Sequence, residues 1–277
     1  MGARFPVAGA FTGLHRSFLK GSAMEFAEMR DYTPGDDLRR LDWKAYARSD
    51  RFFLKEYESE TNARVYFYLD TSGSMNFTTR DGVSRLAYAK RVVAHLSLLL
   101  LYQGDSVGVV QEEDGGFSSQ RYRGESNIFH ILEALEGIKA EGPTQMVEQL
   151  GQMTEQLPRR SIVVVVSDFF CSLSPLEEEL DHMRHCAHEV TCLQVISERE
   201  AHLTEKNNIA FKDLETGAVV QSKVSGIKES YREKYLAHQR ALKEGCVSHR
   251  AIYQQVLMEE PLDEALHRII NPHMVSG

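Results

Sequence analysis

Apolar positions in this chain switch repeatedly between two periodicities from residue 64 to residue 196. Residues 64–70 read Arg-Val-Tyr-Phe-Tyr-Leu-Asp, and residues 161–168 read Ser-Ile-Val-Val-Val-Val-Ser-Asp. Such unbroken β-branched and aromatic runs predict central strands covered on both faces. Further strands are predicted at 106–111 and 189–196, with a short edge strand at 117–122 behind the hairpin signal Gly115-Gly116. Helical spacing predicts a deeply packed helix at 86–102, apolar nearly all round. It also predicts helices at 126–139 capped by Ser126, at 144–157 capped by Thr144 and stopped by Pro158, and at 175–187 with Pro175 in first position. Strands alternating with helices imply an α/β fold, a doubly wound, mostly parallel sheet with helices on both faces.

The pattern is looser at both ends. Residues 1 to about 50 read as irregular with short helical signals. There the turn Tyr32-Thr33-Pro34-Gly35-Asp36-Asp37 precedes a short helix over 38–47 that carries Trp43. Beyond residue 200 a hairpin over 209–221, an amphipathic helix over 227–244, a strand over 249–257 and a helix over 262–270 are predicted. The organisation read from this is an N-terminal extension at 1–61, an α/β domain at 62–200, and a C-terminal α+β extension at 201–277 that completes or extends that domain.

Composition narrows the class. The chain has 277 residues, 42% hydrophobic and 26% charged, which is globular usage. A net charge of -8 argues against general nucleic-acid binding. The four cysteines, Cys171, Cys186, Cys192 and Cys246, form no C-x-x-C pair and read as reduced thiols of a cytoplasmic protein. No secretory signal is read at the start. The apolar stretch at 92–102 is too short to span a bilayer, so no transmembrane segment is expected.

The chemistry lies where the two clearest strands end. Asp70 closes one and Asp168 the other, at the sheet edge where a doubly wound fold binds its ligands. Asp70-Thr71-Ser72-Gly73-Ser74 alternates a carboxylate with two hydroxyls on a tight loop, so that three hard oxygen donors face one way. Thr144, after Gly142-Pro143, adds another hydroxyl. Hard oxygens with two carboxylates suit Mg²⁺, with Mn²⁺ or Ca²⁺ as alternatives, and not zinc. The competing structural readings are a Ser/Gly turn capping the next helix and, for Thr144, a helix cap.

Asp-x-Ser-x-Ser after an apolar strand, a later threonine, and Ser-Asp after a second strand together resemble the metal ion-dependent adhesion site of von Willebrand factor type A domains. All five positions are filled, over about residues 62–200. The resemblance implies a metal held by Asp70, Ser72, Ser74, Thr144 and Asp168: hydroxyls bind directly, aspartates often act through water, and a partner protein's carboxylate completes the shell. The threonine follows Gly-Pro here, whereas the family often has two glycines.

Gly21, Glu25-Phe26, Arg30-Asp31-Tyr32, Pro34-Gly35-Asp36-Asp37, Arg39, Asp42-Trp43 and Ala47-Arg48 resemble the signature of the domain-of-unknown-function-58 family. The resemblance implies a bacterial protein; that family carries a type A domain and is commonly encoded beside MoxR-type AAA+ ATPases. The implied function is a metal-dependent protein–protein interaction module that works with such an ATPase to assemble or activate another complex. Arg30, Asp36, Asp37, Arg39, Asp42, Trp43 and Arg48 form either a partner-docking surface or a structural clasp. Many relatives have transmembrane helices before this region; none is read here.

Two further signals lie in the predicted helix over 175–187 and just beyond it. His182, His185 and His188, with Cys186, recur at helical spacing as a metal site or a solvated helix end. Glu177 to Glu179 read as a solvated helix start. The chain is not expected to be an enzyme. The alternative is a metal-dependent hydrolase of phosphoryl groups using Asp70, but residues 71–75 supply no lysine or glutamate beside it, and no P-loop, G-x-S-x-G or H-E-x-x-H motif is present. A dinucleotide-binding fold lacks its G-x-G-x-x-G.

Overall fold

The computed structural model describes residues 25–31, 53–58, 63–113, 116–202, 208–212 and 219–270. The chain divides into two compact units, Met1–Asn62 and Ala63–Gly277. In the first, β1 (Glu25–Asp31) pairs antiparallel with β2 (Phe53–Glu58). This corrects the irregular-with-helices expectation for that stretch. Phe26 lies opposite Tyr57 and Glu28 opposite Glu56, so the register shifts between them. A bulge adds a residue and breaks the period of two, leaving Phe26 and Met29 at an i, i+3 spacing that looks helical. Arg30 lies on β1, opposite Leu54. Asp36, Asp37, Arg39, Asp42, Trp43 and Arg48, with the turn and helix expected there, lie outside the described residues.

The second unit is built on a six-stranded sheet. Its strands are β3 (Arg64–Leu69), β4 (Ser106–Val109), β7 (Arg121–Arg123), β8 (Ile162–Ser167), β9 (Glu189–Ile196) and β12 (Ile252–Leu257), in the order β12-β9-β8-β3-β4-β7. All neighbours are parallel except β7, the antiparallel edge. A separate hairpin joins β5 (Gln111–Glu113) to β6 (Gly116–Ser118), and another joins β10 (Asn208–Lys212) to β11 (Val219–Lys223).

The helices are α1 (Arg85–Tyr102), α2 (Ile128–Gly137), α3 (Met146–Gln156), α4 (Leu173–His185), α5 (Glu198–His202), α6 (Val224–Ser248) and α7 (Leu262–Ile270). α1 packs against α2 and α7, while α4 packs against α3 and α6. β3 alternates accordingly. Tyr66 and Tyr68 join Leu150, Met153, Leu176, Leu180 and Leu242 in one core, and period two turns Val65, Phe67 and Leu69 to the other face. Every residue of β8 is buried, as its valine run requires. Among the described residues no helix is long and apolar enough to cross a membrane.

Helix starts differ from expectation in ways that local chemistry explains. Thr144 precedes the cap position of α3, which is Gln145, whose own side chain makes no cap bond. Ser126 sits inside a 3₁₀ turn, Glu125–Asn127, before α2 begins. α4 starts at Leu173, so Pro175 falls at its third position, still within the first turn where its missing N–H costs no bond. The α1 cap is Ser84, whose hydroxyl accepts from the Ala87 N–H at 3.1 Å.

Candidate functional site

From β3 the chain runs through α1 to β4 on one side and later returns to β8 on the other. The winding direction therefore reverses at the carboxyl ends of β3 and β8, where a crevice opens in folds of this kind. Asp70 and Asp168 follow those two ends. The Asp70 N–H donates to Val166 O at 2.9 Å, extending the ladder one residue into the site.

Asp70 is held by two donors. Its Oδ1 accepts the Ser72 N–H at 2.9 Å, closing a turn, and its Oδ2 accepts the Ser167 hydroxyl at 2.6 Å. Burial pushes its carboxyl above the ordinary range against the pull of those bonds, and neighbouring Asp168 adds to the rise. The turn brings the Ser72 and Ser74 hydroxyls 2.9 Å apart. The loop carrying Thr144 is clipped to this turn by three bonds. Gly73 N–H donates to Gly142 O at 2.8 Å, Glu141 N–H to Thr71 O at 2.7 Å, and Asn76 Nδ2 to Ala140 O at 2.8 Å. Gly142 has φ +76, a conformation in which a side chain would be strained. Thr144 itself is half-buried two residues further on.

Asp168 sits in a tight turn. Ser167 Oγ, which donates to Asp70, also accepts the Phe169 N–H at 2.9 Å, and Phe169 holds φ +54. Asp168 Oδ1 accepts the Phe170 N–H at 3.2 Å, and its carbonyl accepts from Gln194 Nε2 at 2.7 Å. Its Oδ2 is paired with Arg85, whose other terminal nitrogen pairs with Glu200. Arg85 Nη1 also donates to Ser74 O at 3.0 Å, and the guanidinium lies 5.2 Å from the centre of the Phe77 ring. Burial opposes the Arg85 charge, but Asp168 and Glu200 outweigh it and raise its pKa. Burial raises Glu200 more than Arg85 lowers it.

The structure thus brings the loops of all five expected residues to one edge, and it adds Arg85, Glu200 and Ser167. Arg85 had no distinct signal, because the same helix also carries Lys90, Arg91 and His95 and nothing in the spacing marks Arg85 as the buried one. Glu200 had none, because a short polar helix after β9 looks like any solvated loop. Ser167 was read as half of a Ser-Asp pair, but its role as the link between the two aspartate turns is a tertiary fact.

The donor set fits a hard divalent cation. The Ser72 and Ser74 hydroxyls are hydrogen-bonded to each other at 2.9 Å, which places two hard oxygen donors side by side. Asp70, Asp168 and Glu200 face one guanidinium, which leaves two negative charges to balance. Among the described residues no group of three His, Cys, Asp or Glu side chains lies close enough to hold a metal. The side chains that meet at this edge are hydroxyls and carboxylates, donors of the kind that suit Mg²⁺. Beside the site a cavity of about 390 Å³ is lined by Thr71, Glu112, Glu141, Gly142, Pro143, Gln145 and Gln149.

The histidine run separates in space. His182 meets Glu155 and Glu179, His185 turns back on Asp181, and buried His188 accepts the Ser161 N–H at 3.3 Å. Glu179 also accepts from Thr154 Oγ1 at 2.8 Å, so this stretch is partly a packing contact and not a free acidic face. All four cysteines are free thiols.

The chain is similar to an uncharacterized protein of Mycobacterium bovis, Mb1516, at 24% identity, covering 83% of this chain and 73% of that protein. Among solved structures it matches the conserved hypothetical protein BatB of Bacteroides thetaiotaomicron, with TM-score 0.49 and 19% identity over 77% of this chain and all of that one. It also matches the SpRpn10 VWA domain, with TM-score 0.45 and 11% identity over 76% of this chain and 95% of that one. The family profile described as "Protein of unknown function DUF58" matches residues 28–245, and the chain belongs to that family.

Proposed function

We propose that this chain is a protein-interaction module whose grip is one Mg²⁺ ion held by Asp70, Ser72, Ser74, Thr144 and Asp168, with a carboxylate of the partner protein completing the shell. The observation that carries this is the pair of hydroxyls 2.9 Å apart above a buried, doubly anchored Asp70, with the Thr144 loop clipped beside them. Mg²⁺ supplies a fixed positive point that an acidic side chain can reach from outside. The chain's own groups orient the donors: Ser167 aims Asp70, and the two backbone bonds at Thr71 and Gly73 position the Thr144 loop. Exposed Phe170, next to Asp168, offers apolar area at the rim, its ring centred 6.2 Å from Tyr235 and 5.8 Å from His238. A MoxR-type AAA+ ATPase is the partner class that the family resemblance supplies, in assembly or activation of another complex. Hydrolysis is disfavoured because residues 71–75 place no lysine or glutamate beside Asp70 to act as a second acid or base.

Calorimetry should show Mg²⁺ binding by the wild-type chain and none by Asp70→Ala or the Ser72→Ala/Ser74→Ala double variant, each with its circular dichroism retained. A purified MoxR-type ATPase should bind wild type in Mg²⁺ and lose binding in chelator. Metal binding that survives in the double variant, or ATPase binding indifferent to chelator, would sink the reading.

A further inference from the structure

Arg85 is the residue that the five-donor scheme leaves unexplained. It is the first residue of α1 and is 1% exposed, in a class of side chain almost never fully buried unless paired. One carboxylate would satisfy a structural ion pair. Arg85 instead has two, on different elements, and also donates to the carbonyl of Ser74, a residue of the donor set. It holds Asp168 by Oδ2 while the Phe170 N–H holds Oδ1, so both Asp168 oxygens already have a donor. Among the described residues its buried Nε has no hydrogen-bond partner, so its hydrogen bonds come from the two terminal nitrogens, to Asp168, Glu200 and Ser74 O.

We propose that Arg85 is a resident counter-cation that competes with the divalent ion for Asp168, and that Glu200 tunes the competition by drawing the guanidinium toward α5. This rests on the metal reading above and deepens it. With no metal, the guanidinium neutralises Asp168 and keeps the buried turn folded. When a divalent ion approaches, two cations share one carboxylate, and their repulsion lowers affinity. Glu200 offers the guanidinium a second home, so the ion does not have to displace Arg85 into solvent. The site is therefore built for weak, reversible loading, suited to a grip completed only when the partner's carboxylate arrives.

The test is Mg²⁺ calorimetry on the full chain, with melting curves in Mg²⁺ and in chelator. Arg85→Gln should bind Mg²⁺ about tenfold more tightly, the size of one relieved like-charge contact, although it melts lower in chelator. Glu200→Gln should bind several-fold more weakly, because the whole guanidinium charge then falls on Asp168. Arg85→Lys should return the affinity toward wild type, since charge is what competes. A purely structural ion pair predicts instead that Arg85→Gln and Glu200→Gln both weaken Mg²⁺ binding, and that result, or no change in either, overturns the proposal. If Arg85→Gln does not fold, the Arg85→Gln/Glu200→Gln double variant, which removes both members of one pair, must bind more tightly than Glu200→Gln alone or the proposal fails. Wild type that binds Mg²⁺ while Arg85→Gln gains nothing rejects only this inference. Absence of Mg²⁺ binding in every variant and in wild type rejects the metal reading itself.

Discussion

Ser167→Ala tests whether the two aspartate turns are one mechanical unit. The Ser167 hydroxyl donates to Asp70 Oδ2 at 2.6 Å and accepts the Phe169 N–H at 2.9 Å, in a position with no solvent exposure. Alanine removes both partners at once. The bond to a carboxylate is worth about 1.5–3 kcal/mol, and an orphaned buried N–H costs about 1–3 kcal/mol. Part of the loss will relax, so about 3 kcal/mol is expected. Phe169 stands at φ +54, and that strained conformation persists only while its surroundings enforce it. In a unit of this size each kcal/mol moves the melting temperature by about 2–4 °C, so the variant should melt about 6–12 °C lower. Calorimetric melts should be run in chelator, so that metal loading does not enter. A fall below about 3 °C, corresponding to roughly 1 kcal/mol, would refute the idea that this hydroxyl joins the turns.

Two further outcomes follow from groups away from the site. Burial lowers the pKa of His188 below its ordinary 6.5, against the pull of the Ser161 and Thr154 backbone. The native state therefore keeps His188 neutral while the unfolded chain takes up a proton. This contribution to stability is complete above about pH 6.5 and is lost as the pH falls below it. Melting temperature should fall more steeply from pH 7 to pH 5 in wild type than in His188→Gln, and parallel curves would reject the assignment. Ala187 ends α4 at φ +63, with its N–H on Arg184 O and the His188 N–H on Met183 O, the bonding of a Schellman cap. Ala187→Gly should stabilise the chain by about 1 kcal/mol, raising the melting temperature by about 2–4 °C; a lower melting temperature would contradict it.

Most of the sheet was legible because its strands are buried on both faces, where the sequence must be apolar throughout. The run at Ile162 to Val166 has no other economical reading. The positions of Asp70 and Asp168 followed from the same fact, since each interrupts an apolar run where the strand meets solvent. β1 was not legible, because its bulge destroys the alternation by which a strand is recognised. The starts of α2 and α3 lie past the hydroxyls that the sequence offers as caps: the residues at the cap positions are Asn127 and Gln145, and neither side chain makes a cap bond. The Arg85–Asp168–Glu200 set spans three elements far apart in sequence, and no spacing rule joins residues 85, 168 and 200.

Residues beyond 196 hold the Asp168 turn as firmly as those before it. Gln194 donates to the Asp168 carbonyl, and its own Oε1 accepts from the Tyr253 hydroxyl at 2.6 Å and from Gln255 Nε2 at 3.2 Å, both on β12. Gln255 Nε2 also donates to Gln239 Oε1 on α6 at 3.0 Å, the Tyr253 hydroxyl oxygen lies 2.7 Å from that same oxygen, and His238 Nε2 lies 2.9 Å from the Phe169 carbonyl. Glu200, on α5, holds the far side of Arg85. These contacts tie the Asp168 turn to α6 and β12, so the carboxyl-terminal helix and strand close the sheet and also position the turn on which Asp168 stands.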